Sequence, residues 1–84
     1  MNLEELYDKV VDIINSHWSY HCNYYCDSRS VCWDKTYVTF DVHGCSDQGD
    51  GSEWTEYWCI YDDGSIHADG VTYANFEEFK RDWA

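Results

Sequence analysis

Positive charge is what this chain has least of. Five lysines and arginines face seventeen aspartates and glutamates, a formal net charge of −12 over 84 residues. The deficit is uneven. After Lys35 no Lys or Arg occurs until Lys80, and Asp41, Asp47, Asp50, Glu53, Glu56, Asp62, Asp63, Asp69, Glu77 and Glu78 lie between them. Affinity for a phosphate backbone needs clustered basic side chains, so this composition excludes direct nucleic-acid binding and disfavours anionic lipid. The same field draws basic proteins inward. Its plainer reading is solubility, which acidic surfaces also serve.

Proline is absent, and the chain holds no apolar run near the ~18 residues of a membrane span. The opening Met1-Asn2-Leu3-Glu4-Glu5 lacks the basic start and apolar stretch of a signal peptide, which points to a cytoplasmic, reducing setting. Five cysteines, an odd number, argue against a complete intramolecular disulfide framework. There is no phosphate-cradling glycine loop and no dinucleotide fingerprint. No flanking pattern singles out a Cys–His pair for nucleophilic chemistry. The expectation is therefore a binding protein, not an enzyme, with no cofactor.

What the chain has in excess is aromatic side chains: five Trp, eight Tyr and three Phe. A domain of this length buries only about 60–65% of its unfolded surface, and each large ring can bury ~150–250 Å². That share exceeds what a minimal core needs, so some rings are expected at a contact surface.

A single α+β domain over 1–84 follows from the pattern: an antiparallel four-stranded sheet flanked by an N-terminal and a C-terminal helix, in the order α-β-β-β-β-α. Leu3, Leu6, Val10, Ile13 and Ile14 form one stripe of a helix over 2–16, with Asn2 as cap and Glu5 completing a capping box. Residues 17–26 read as a strand and 27–30 as a turn. A strand over 31–42 places Val38, Phe40 and Val42 on one face. Residues 43–53, with three glycines, read as a long loop. Strands over 54–61 and 66–71 enclose the Asp62-Asp63-Gly64-Ser65 turn, and Asn75 caps a last helix bearing Phe76, Phe79 and Trp83.

Two metal sites invite comment. His17, His21, Cys22 and Cys26 fall within ten residues, but no C-x₂-C pair occurs, and His21 and Cys22 would point to opposite faces of a strand. Asp47, Asp50 and Glu53 are oxygen ligands on a glycine-bearing loop that does not match the EF-hand spacing. Neither is expected to hold a metal.

The expected contact residues are the acids Asp41, Asp47, Asp50, Glu53, Glu56, Asp62, Asp63 and Asp69, with Trp33, Tyr37 and Trp54 as aromatic anchors. Strand residues two apart lie about 6.6 Å apart, so carboxylates on a sheet can approximate phosphate spacing. A short acidic chain opening Met1-Asn2-Leu3-Glu4-Glu5-Leu6-Tyr7 and closing Ala74-Asn75-Phe76-Glu77-Glu78-Phe79 resembles the small proteins of bacteriophages and mobile elements. In character it is similar to anti-CRISPR proteins, several of which mimic DNA. The resemblance rests on size, charge and element order. It implies a stoichiometric inhibitor docking on the basic nucleic-acid channel of a CRISPR effector. The alternatives are an adaptor domain with an unrelated partner, its charge serving solubility, or a small zinc-stabilised domain.

Overall fold

The computed structural model describes residues 2–19, 22–46 and 52–84. Side chains of residues 18, 19 and 22 fall outside the description, as do His21, weighed above as a possible metal ligand, and the expected contact residues Asp47 and Asp50. The fold is α+β. Helix α1 (Leu3–Ser16) precedes β1 (Trp18–Ser19), β2 (Cys22–Trp33), β3 (Tyr37–Ser46), β4 (Glu53–Tyr61), β5 (Ile66–Ala68) and β6 (Val71–Tyr73); α2 (Phe76–Trp83) closes the chain. The strands form one antiparallel meander in sequence order.

Both helices start as the sequence dictates. The Glu5 backbone N–H donates to Asn2 Oδ1 at 2.8 Å and Asn2 Nδ2 donates to Glu5 Oε1 at 3.1 Å, a reciprocal capping box. In α2 the Glu78 N–H donates to Asn75 Oδ1 at 3.0 Å, while the Glu78 carboxylate accepts from the Ala74 N–H at 2.9 Å. Leu6, Val10 and Ile14 of α1 and Phe79 of α2 are buried against Val38, Phe40, Val42, Trp58, Ile60 and Ile66 of the sheet. The two helices thus cover one face of the sheet, and that face is the core.

The meander has more strands than the four expected, and its turns fall elsewhere. The chain does not reverse at 27–30. Those residues form a bulge inside β2, with the register shifting between Asp27 and Cys32. Asp27 Oδ1 accepts from the Arg29 N–H at 3.0 Å. The Ser30 hydroxyl donates to the Asp27 carbonyl at 2.6 Å and accepts from the Asp41 N–H at 2.7 Å. The local turn chemistry is present, but a serine bridges the gap to β3 and the strand continues. The reversal comes at 34–36, where the Asp34 N–H donates to the Tyr37 carbonyl at 2.9 Å.

The loop expected over 43–53 is shorter than its composition implies, because His43, Gly44, Cys45 and Ser46 extend β3. Gly44 stands opposite Trp54, whose indole lies where a Cβ at 44 would be. Glycine is there to admit the ring, not to bend the chain. The strand expected over 66–71 is itself a hairpin. Asp69 (φ 46°) and Gly70 (φ 91°) both occupy the left-handed region, as a two-residue type I′ turn requires. The strand expected over 17–26 likewise divides into β1 and β2. The Asp62–Ser65 turn stands as expected, with Gly64 at φ 97°.

Candidate interaction surface

The face of the sheet turned away from the helices has no element over it among the described residues. Paired residues in adjacent strands point the same way, so the register writes this face as rows. One row is Tyr25–His43–Thr55, the next is Asp27–Asp41–Tyr57, and a third runs Cys32–Thr39–Cys59–His67–Thr72. Tyr37 pairs with Tyr61 at one end, and Cys45 pairs with Glu53 at the other. Tyr25, Tyr57 and Tyr61 are 52%, 60% and 42% exposed. Four tyrosines therefore sit on an open sheet, where burial would have favoured the opposite face.

Tyr37, Thr39, Tyr57, Cys59, Tyr61 and His67 line an open depression of about 310 Å³. Its floor is the buried Cys59. The rings of Tyr37 and Tyr61 lie 6.1 Å apart at 48°, too tilted to stack. Asp34, next to Tyr37, pushes that phenol above its ordinary value, with partial desolvation adding to it. The Cys59 thiol does the same to Tyr61.

The acids of this surface stand mostly at its margins. Asp34, Asp62 and Asp63 share one end, where the Asp62 N–H donates to the Thr36 carbonyl at 2.8 Å and ties the two turns together. Asp63 accepts from the Ser65 hydroxyl at 2.7 Å and the Ser65 N–H at 2.8 Å, which hold its carboxyl below the usual range. Asp69 occupies the β5–β6 turn. Inside the surface, Asp27 and Asp41 stand directly opposite each other. Asp27 is lowered first by the Arg29 N–H and then by His43, whose Nε2 donates to Asp27 Oδ2 at 3.3 Å. Arg29 Nε reaches Asp27 at 3.5 Å. No cation stands within ion-pair distance of Asp41 among the described residues.

Thr55, His43 and Asp27 form a hydrogen-bonded chain, with His43 Nδ1 2.9 Å from Thr55 Oγ1. The order resembles a nucleophile–base–acid relay. The same His–Thr pairing recurs between His67 and Thr72 at 3.0 Å with no acid behind it. Both are cross-strand polar pairs on an open sheet, and cross-strand pairing accounts for them.

Of the expected contact residues, the structure brings Asp41, Glu53 and Tyr37 onto the open face and puts Asp62, Asp63 and Asp69 in turns. It separates three others from them. Glu56 pairs with Val42 and so faces the helices, where its carboxylate accepts from the indole N–H of Trp54 at 2.8 Å and of Trp58 at 3.0 Å. Trp54 lies over Gly44 on that same side. Trp33 is half exposed but also on the helix side, edge-on to Tyr7 at 5.2 Å. Tyr25, Tyr57 and Tyr61 were missed. Alternation through Tyr57-Trp58-Cys59-Ile60-Tyr61 was the signal that could have found two of them. A regular ladder of carboxylates at phosphate spacing is not formed among the described residues: Asp41 and Glu53 differ by four residues of register, about 13 Å along the strands.

For the metal alternatives, no group of three or more His, Cys, Asp or Glu side chains comes together among the described residues. His17 donates from Nδ1 to the Trp83 carbonyl at 2.7 Å and packs on Trp83 and Tyr24; Cys26 lies 3.7 Å from the Tyr7 hydroxyl. No helix of the described residues is long and apolar enough to cross a membrane. No known protein family, curated protein or solved structure matches this chain.

Proposed function

We propose that the protein acts by stoichiometric binding: its open sheet face docks on a basic surface of a nucleic-acid-binding protein and keeps nucleic acid out. One observation carries the reading. The sheet face left without helices is floored by tyrosines and margined by carboxylates, with Arg29 and Lys35 its nearby bases. Exposed tyrosines interleaved with charged side chains are the kind of surface that proteins use to meet partners. A net charge of −12 makes a basic partner the complementary one. The tyrosines would slow dissociation, and the acids would speed encounter and repel nucleic acid. The mimicry this supports is of charge sign; the acids of the described residues form no ladder at phosphate spacing.

The resemblance to anti-CRISPR proteins extends this to a specific target, the basic DNA channel of a CRISPR effector. A pull-down from host lysate at low salt, eluted by a salt gradient and read by mass spectrometry, names the partner. The purified pair is then challenged with the partner's own DNA or RNA. The proposal expects release as salt rises and mutual displacement of protein and nucleic acid. Simultaneous binding of both, or a complex indifferent to salt, would leave the adaptor reading in its place.

A further inference from the structure

Resting on that reading, we infer that the open face selects arginine over lysine, so that the partner surface it fits is an arginine-bearing segment. The depression between Tyr37, Tyr57 and Tyr61 offers phenol faces that are not used on one another: Tyr37 and Tyr61 are tilted, and Tyr57 is the most exposed large hydrophobic among the described residues. Asp41 is the direct cross-strand neighbour of Tyr57. Side chains so placed lie ~5 Å apart at Cβ, so one group can touch both. A guanidinium bonded edge-on to the Asp41 carboxylate can lay its plane on the Tyr57 ring, using the fork and the flat face at once. An ammonium is a strongly hydrated point charge; it can meet the carboxylate but gains less from the ring.

The surroundings leave this position open to an outside cation. Across from Asp41 on its other side, Asp27 is engaged by His43 and Arg29. Asp41 has its backbone N–H tied to Ser30 but no cation at its carboxylate among the described residues. Lining the depression beyond the tyrosines are Thr39, Cys59 and His67, of which His67 is held by Thr72. Asp34 stands against Tyr37 at the far side, a second carboxylate for a neighbouring arginine.

The test uses the whole chain labelled with ¹⁵N and two peptides, three arginines alternating with glycine and the same peptide with three lysines, titrated at low ionic strength. The expected result is about fivefold tighter binding of the arginine peptide. Shifts should centre on residues 37, 41, 57 and 61, and the preference should fall to near unity in Asp41→Asn and in Tyr57→Leu. Asp41→Asn also relieves the like-charge pairing with Asp27, and a ¹⁵N spectrum of each free variant that keeps the parent's shifts away from this face separates lost binding from lost fold. Equal affinity for both peptides at these residues overturns the arginine inference and leaves the basic-partner reading standing. Shifts confined to α1 and α2, or no binding of either peptide, overturn both. A preference that survives both variants, or concentration-dependent shifts on this face without peptide, overturns the inference in favour of another site or of a second copy of the chain.

Discussion

Glu56 shows how much a single residue's role depends on which side of the strand it lies. Its carboxylate takes the indole N–H groups of Trp54 and of the fully buried Trp58. Removing it leaves both donors without that partner, at a cost on the order of 1–3 kcal/mol. Glu56→Ala should therefore lower the urea midpoint clearly, while Asp62→Asn, in an exposed turn, should stay within about 0.5 kcal/mol of the parent. If Glu56→Ala is as stable as Asp62→Asn, the indole bonds are not holding the sheet. Tyr7 carries a second residue-scale prediction. Burial first, then the Cys26 thiol, raises its phenol well above the ordinary tyrosine value. A raised pKa in the folded state means stability that is complete below pH ~10 and lost as pH climbs toward the folded value, because the unfolded chain ionises first. Tyr7→Phe should flatten the alkaline fall in stability, followed by circular dichroism across that range. An unchanged alkaline limb would show that Tyr7 is not its source and leave it to the other tyrosines raised in the fold, Tyr37, Tyr61 and Tyr73.

At the scale of elements, the bulge in β2 hangs on Ser30. Its hydroxyl is both donor to Asp27 and acceptor for the Asp41 N–H, so Ser30→Ala should cost about 1 kcal/mol. It should also raise amide exchange at Asp41 above that of Val42. Unaltered exchange at Asp41 would mean the bulge is held from elsewhere. This element also marks where the sequence could be read and where it could not. The Asn2–Glu5 capping box, the Asn75 cap and the Val38-Phe40-Val42 alternation depend on neighbours a few residues away, and all were legible. The reversal at 34–36 was not, because Asp34-Lys35-Thr36 offers neither glycine nor proline while Asp27-Ser28-Arg29-Ser30 has the better turn composition. Gly44 looked like loop for the same reason; only the Trp54 ring, ten residues on, explains it. The Asp69-Gly70 signal was present in the sequence and overlooked. The tyrosine face was half legible, in the alternation of β4, but which face the helices would leave open is decided by packing across the whole sheet. At the sheet's ends, β1 pairs with only Cys22 and Asn23 of β2 and β5 with only Trp58, Cys59 and Ile60 of β4, so among the described residues most of the outer edge of β2 and the first half of that of β4 have no strand beside them.

For the whole molecule, seventeen acids and five bases make self-repulsion a standing cost of folding. Salt screens it, over about 10 Å at 0.1 M. Added sodium chloride should raise the melting temperature of the free protein and weaken its complex with a basic partner, two responses of opposite sign from one charge distribution. A melting temperature that falls with salt would show that specific ion pairs outweigh the net charge. Under the proposed binding function, the tyrosines and the acids would divide the work of recognition between short and long range.

The central claim is that binding uses the open sheet face, and two variants test it most directly. One carries Asp41→Asn and Tyr57→Leu on that face; the other carries Glu4→Gln, Asp8→Asn and Asp12→Asn along α1, and so removes more charge. Affinity for the partner recovered by pull-down is measured by calorimetry for both at the same ionic strength. The account predicts a loss of at least about tenfold for the sheet variant and a few-fold at most for the helix variant. The reverse order, with α1 neutralisation the more damaging, would contradict it.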